Sequence, residues 1–125
     1  MKPRMIALGI FLFWSVPFLP AQGADKEVQE GKKLFENTCA DCHRTNGQGL
    51  PDKFPALAKN AFVVGEATKV IDTVLNGRKE KLGQMPSWKG SFNDQQIAAI
   101  ITYVRQAWSN KGTPITAEMV KNKQK

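Results

Sequence analysis

At 125 residues the chain has room for one small domain, and 42% hydrophobic residues allow it a modest core. Its two cysteines cannot build a disulfide framework. A formal charge of +7 fits either a solvated lysine surface or a face that steers toward acidic partners, and with no recognition motif beside it nucleic acid is not expected as a partner.

The chain opens on Lys2 and Arg4, an apolar stretch from Met5 to Leu19 and the small residues Ala21, Gly23 and Ala24, which is the layout of a secretory signal peptide. The stretch carries Pro17 and falls short of the roughly 20 apolar residues a spanning helix needs. Residues 1–23 are therefore expected to be a cleaved leader, with retention as an anchor the alternative, and the product is expected in the periplasm without a membrane span. Loss of Lys2 and Arg4 leaves 16 basic against 11 acidic residues, a charge of +5.

From Asp25 to Thr38, the residues Val28, Gly31, Leu34 and Phe35 recur at helical spacing among charged ones, which predicts an amphipathic helix running into Cys39. There stands Cys39-Ala40-Asp41-Cys42-His43. Cys-x-x-Cys-His is the attachment signature of a c-type haem: two thiols one helical turn apart can each form a thioether to a vinyl group, and the adjoining His reaches the iron from one face. Two rivals share the cysteine pair. A thioredoxin-type dithiol normally follows a strand, which the pattern lacks, and a structural zinc site wants four Cys or His ligands where this chain offers two cysteines and its single histidine.

Thr45 to Asp52 is rich in turn formers, and Pro51 and Pro55 exclude a regular helix, so a loop long enough to wrap a cofactor edge is expected. A short helix over Thr68 to Asn76 stops at Gly77. Arg78 to Gly90, with Met85-Pro86-Ser87-Trp88, reads as a basic loop. Asn93 is the N-cap of a third helix, with Gln96 as capping-box partner and Asp94 in the first turn. Ile97, Ile100, Ile101, Val104 and Trp108 give that helix its apolar face, and Asn110, Gly112 and Pro114 end it. Beyond Thr113 a short turn at Thr116-Ala117-Glu118 is expected, followed by residues too polar to pack. No segment shows strand alternation.

A single histidine forbids a bis-histidine haem within one chain, and methionine is the usual partner of His in electron-transfer haems. Met1 and Met5 leave with the leader, so Met85 and Met119 remain. Met85 sits in a loop where Pro86 restricts its backbone, whereas Met119 in the polar tail fits gap-filling. Met85 is the expected ligand opposite His43.

On these residues the chain resembles the class I bacterial cytochromes c, from Val28 to Trp108. The resemblance implies an all-α, small cytochrome c fold, three main helices with loops wrapped around one covalently bound haem c, over residues 24–112, with a polar tail over 113–125. It implies that Gly31 and Phe35 cross the last helix at Ile100 and Tyr103. It also implies that a proline carbonyl, Pro55 with Pro51 as competitor, sits on the other ring nitrogen of His43. Trp88 is left between donating to a haem propionate and covering the haem edge. Phe54, Leu57, Val74 and Leu82 are left between haem-pocket wall and ordinary core.

The stretch from Tyr103 to Gly112, with Thr116 to Val120, is similar to cytochrome domains of periplasmic alcohol dehydrogenases and of the copper-containing subunit of some haem-copper oxidases. The implied function is a periplasmic monohaem carrier, not an enzyme, passing single electrons from a dehydrogenase or other donor to a terminal acceptor. A monomer is expected, docking redox proteins with acidic surfaces through Arg78, Lys79, Lys81 and Lys89. The alternatives are a haem subunit of a stable dehydrogenase or oxidase complex, and an open-site haem enzyme or gas sensor.

Overall fold

The computed structural model describes residues 22–125. Of the leader expected over residues 1–23, only Gln22 and Gly23 fall among them. The chain runs α1 (Gln22–Thr38), α2 (Ala40–His43), α3 (Ala61–Val64), α4 (Ala67–Asn76), β1 (Arg78–Glu80), β2 (Gly83–Met85), α5 (Asp94–Gln106) and α6 (Ala117–Lys123). No helix of the described residues is long and apolar enough to cross a membrane.

The first and last expected helices cross where the resemblance implied. A Cβ on Gly31 would collide with the carbonyl of Ala99 and stand 3.1 Å from the Ile100 amide nitrogen, so only glycine lets α1 lie this close to α5. Beside the crossing Phe35, 1% exposed, packs its ring 5.6 Å from Tyr103 and 5.3 Å from Trp108, and the latter two rings are 5.5 Å apart. Three tilted rings bury much apolar area and hold one another in preferred edge-to-face geometry. The Asn93 capping box starts α5, with Asn93 Oδ1 accepting from the Gln96 amide at 2.9 Å and Gln96 Oε1 from the Asn93 amide at 3.1 Å.

The other cluster lies between α4, α5 and α6, where Ile71, Leu75, Ile97, Ile101, Ile115 and Val120 are almost wholly buried. The C-terminal segment expected to fray therefore packs: α6 seats Val120 in this cluster and lays Met119 against it. Thr116 caps α6 by accepting from the Met119 amide, and Lys121 and Lys123 lie in its last turn, where cations favour the helix dipole. Its approach is fixed by Thr102, whose buried hydroxyl donates to the Ile115 carbonyl at 3.2 Å and accepts from the Ile115 amide at 2.9 Å. Val120 in the cluster with Met119 beside it sufficed to dock an otherwise polar helix.

Two further expectations are corrected. Arg78 to Met85 is no simple loop but an antiparallel hairpin, Arg78 opposite Met85 and Glu80 opposite Gly83. Strands of three residues are too short to show alternation. And α5 ends at Gln106, before Trp108, because the carbonyls at its end are taken from downstream: Val104 O by Asn110 Nδ2 at 2.8 Å and Arg105 O by the Gly112 amide at 2.7 Å. Arg105, 2% exposed, donates to the carbonyls of Val63, Gly65 and Thr113, joining α5 to α3 and to the segment before α6. Burial pulls the pKa of its guanidinium below the ordinary value.

If α6 is an integral part of the core, Val120→Ala will cost about 2 kcal/mol in chemical denaturation, from the lost methyls and the cavity they leave. A frayed tail would register no change.

Candidate haem attachment site

The end of α1 delivers the site. Hydrogen bonding continues past Thr38, with the Cys39 amide donating to Phe35 O at 2.8 Å and the His43 amide to Cys39 O at 3.0 Å, so Cys39 is the N-cap of one further helical turn, α2. Cys39 and Cys42, three apart on this turn, share a face. Both are free and half-buried. Thr38 Oγ1 donates to Leu34 O at 2.6 Å and lies 3.5 Å from Cys39 Sγ. Burial pushes the Cys39 thiol above its usual pKa, the neighbouring Cys42 adds to this, and the Thr38 contact partly offsets it.

His43 is 9% exposed, and its Nδ1 lies 3.0 Å from the carbonyl oxygen of Pro55. A carbonyl only accepts, so Nδ1 carries the proton and donates, and Nε2 keeps its lone pair. Burial lowers the pKa of the imidazole and so favours this neutral form, and the Pro55 contact pulls the other way. Of the two prolines in the loop, Pro55 and not Pro51 meets His43.

The loop that presents Pro55 is built on hydrogen bonds among its own backbone groups. The Gly49 amide donates to His43 O at 2.9 Å, the Leu50 amide to Phe54 O at 2.9 Å, and the Leu57 amide to Gly47 O at 2.7 Å. Gly49 has φ +63, and a Cβ there would stand 2.6 Å from Pro55 O and also collide with the Phe54 carbonyl. The backbone passes directly under the group that holds His43.

Met85 ends β2 and is half-buried. The segment after it is fastened to the end of α4: Ser87 Oγ donates to Leu75 O at 2.5 Å, and the amides of Trp88 and Lys89 donate to Val74 O and Leu75 O at 3.1 and 3.2 Å. On its other side the hairpin touches the Pro55 loop, where a Cβ on Gly83 would stand 2.9 Å from Lys53 O and 3.5 Å from the Phe54 ring. Met85 is thus two residues from a contact with the residue that precedes Pro55. Met119, the other candidate, packs against the α4–α5–α6 cluster instead.

The remaining residues separate. Trp88 leans on Phe92, ring centroids 5.7 Å apart, and no acceptor among the described residues takes its indole N–H. Leu57 packs beside the Phe35 cluster and Val74 beside the other, both as core, while Phe54 is half-buried. Leu82 is 39% exposed and Phe62 37%, the latter under the Arg78 guanidinium at 4.8 Å. Arg78, Lys79, Lys81 and Lys89 are all exposed. Sequence reasoning marks Asn110 only as a helix stop, and it missed the bonds of Asn110 to Leu57 and Lys59, the anchoring role of Ser87 and the true place of Trp108.

The donor set fits a covalently tethered haem. Two thiols share one face of a helical turn, the adjacent imidazole offers a bare Nε2, and the large apolar side chains Leu82 and Phe62 remain partly exposed. Neither rival fits as well: α1 rather than a strand leads into Cys39, and among the described residues no group of three or more His, Cys, Asp or Glu stands together to hold a metal ion.

Comparison with known proteins agrees. Residues 26–104 match the family model described as cytochrome C oxidase, cbb3-type, subunit III. The chain is 34% identical over 109 residues to the cytochrome c subunit of a quinone alcohol dehydrogenase from Gluconacetobacter polyoxogenes, covering 79% of this chain and 22% of that one. It is 32% identical over 121 residues to cytochrome c-552 of Thermus thermophilus, covering 83% of this chain and 80% of that one. With the cbb3-type oxidase subunit FixP of a Bradyrhizobium it shares 34% identity over 115 residues, 89% of this chain and 38% of the relative. The chain thus spans about a fifth of the dehydrogenase subunit and most of the c-552.

Gly49→Ala tests the loop. Forced from its left-handed φ and pressed against two carbonyls, it will cost about 1–3 kcal/mol in denaturation.

Proposed function

The chain belongs to the c-type cytochromes, proteins of electron transfer that bind haem c covalently, and we propose that Cys39 and Cys42 tether its haem while His43 and Met85 fill the two axial positions. Bound there, haem c supplies a one-electron couple. The rest is done by the chain. His43 presents Nε2, its ring orientation and tautomer held by Pro55, and this is the observation that carries the reading. Met85 presents a thioether from a hairpin pinned to α4 and to the Pro55 loop, so its backbone is held in place on two sides. With both positions filled, no site is left for a substrate, and the protein works as a carrier. Thioether ligation favours the reduced state and raises the potential.

Trp88, with its indole N–H facing no protein acceptor among the described residues, is proposed to donate to a haem propionate. The basic start and apolar stretch at the N-terminus support export to the periplasm, and the match along most of cytochrome c-552 supports a cytochrome c that acts as a carrier in its own right, proposed to be monomeric. Redox proteins with acidic surfaces are the proposed partners, met through exposed Arg78, Lys79, Lys81 and Lys89. The similarity to dehydrogenase and oxidase subunits supports a second reading, a haem subunit held in such a complex. Co-purification with a dehydrogenase or oxidase would favour it over the free carrier.

Met85→Ala will keep haem covalently attached but lower the reduction potential by on the order of 100 mV, a fraction of the roughly 0.8 V that axial ligands command. The reduced variant will bind carbon monoxide rapidly where the parent does not. Rapid binding by the parent itself would overturn the His/Met reading.

Electron-transfer rates with an acidic partner will fall as salt rises, since screening weakens attraction between unlike charges. Stopped-flow mixing over a salt series measures this, and a flat response would assign the lysines to solubility alone.

A further inference from the structure

Two side chains just beyond α5 hold the loop on which Pro55 sits, although neither hydrogen-bonds to His43 or Pro55. Trp108 Nε1 donates to Thr45 O at 3.0 Å, and its ring lies so close to Gly47 that a Cβ there would stand 2.5 Å from it. Asn110, 6% exposed, donates from Nδ2 to Leu57 O at 2.9 Å and accepts at Oδ1 from the Lys59 amide at 2.8 Å. Its second Nδ2 proton goes to Val104 O, within α5. Trp108 therefore grips the loop before Pro55 and Asn110 grips it after. Between the two grips the Gly47 carbonyl accepts from the amides of Leu57 and Ala58, closing the loop on itself.

The backbone that carries these side chains is itself costly. Trp108 and Ser109 follow one another at φ 51 and 68, in the left-handed region that residues with a Cβ rarely enter. Such conformations persist only where their surroundings over-determine them. Here the over-determination is the pair of grips together with the Trp108 ring against Phe35 and Tyr103.

We propose that Trp108 and Asn110 are positioning residues for the iron's axial histidine: from the end of α5 they fix the Pro55 carbonyl on His43 Nδ1 and so set the donor strength of Nε2. The proposal rests on His43 being the ligand. A hydrogen bond from Nδ1 makes an imidazole a stronger donor and favours the oxidised iron. Loosening the loop weakens that bond, and the potential rises.

The test uses the haem-loaded protein and three variants. Asn110→Ala removes one grip. Trp108→Phe keeps an aromatic ring on Gly47 but deletes the N–H to Thr45, and it serves if Asn110→Ala fails to fold. Val120→Ala, in the other cluster, loses stability without touching the loop. Proton NMR of the reduced, diamagnetic protein follows exchange of the His43 Nδ1 proton, and voltammetry gives the potential.

Release of either grip is expected to speed that exchange about tenfold or more and to raise the potential, while Val120→Ala leaves both unchanged. Wild-type exchange and potential in both loop variants, or an equal response in Val120→Ala, would overturn the proposal. The ring protons of an iron-bound His43 are moved far upfield by the haem ring current. Their absence from that region would overturn the ligand reading itself, and the grip with it, whereas upfield protons with unaltered exchange would overturn the grip alone.

Discussion

The contact on which the rest depends is the crossing of α1 and α5 at Gly31. The two cysteines and His43 sit on one helical turn attached to the end of α1, so their position is inherited from how closely that helix lies on α5. A side chain at residue 31 would hold the helices apart by its own thickness, and the rings of Phe35, Tyr103 and Trp108 would lose their interlock. Trp108 would then leave Gly47. One missing Cβ therefore fixes both the turn that bears the thiols and the residue that reaches back to the Pro55 loop.

The helices position the site, but much of it is carried by irregular backbone, and the carbonyls at helix ends explain how that backbone is held. A helix leaves its last carbonyls without intrahelical partners. At the end of α4 these are taken by Ser87, Trp88 and Lys89, which fastens the segment behind Met85. At the end of α5 they are taken by Asn110 and Gly112, which shapes the turn from which Trp108 and Asn110 reach the Pro55 loop. The same unmet acceptors that would destabilise a buried helix end thus serve as anchors for the two loops flanking the site.

What could be read from the sequence follows the range of the interaction. Local signals were legible: the Asn93 capping box, the Gly77 stop, the spacing of Val28, Gly31 and Phe35, and Cys39 to His43 itself. The Pro55 carbonyl was legible only through resemblance, because nothing in Phe54-Pro55-Ala56 says which group it faces. The hairpin was missed because its register is held by backbone pairing and by Gly83 against Phe54, not by side-chain alternation. Trp108 was misread for an instructive reason. It lies four residues after Val104, which suits a helix, but Asn110 competes for the Val104 carbonyl and ends the helix first. The docking of α6 was missed because a helix so polar is judged by its average, whereas Val120 alone inserts into the core.

The polar chemistry around His43 bears on why such a site suits electron transfer. Its Nδ1 proton is held by a carbonyl, which accepts a hydrogen bond but is far too weak a base to take the proton. Burial disfavours an added charge on the ring, and no carboxylate of the described residues bonds to it. With His43 as the axial ligand, the proton on Nδ1 has nowhere to go when the iron changes charge. A His bonded to Asp or Glu could share its proton as the iron oxidised, coupling electron flow to pH. The Pro55 carbonyl gives the imidazole fixed orientation and added donor strength without that coupling, so a single electron can arrive and leave with little else in motion.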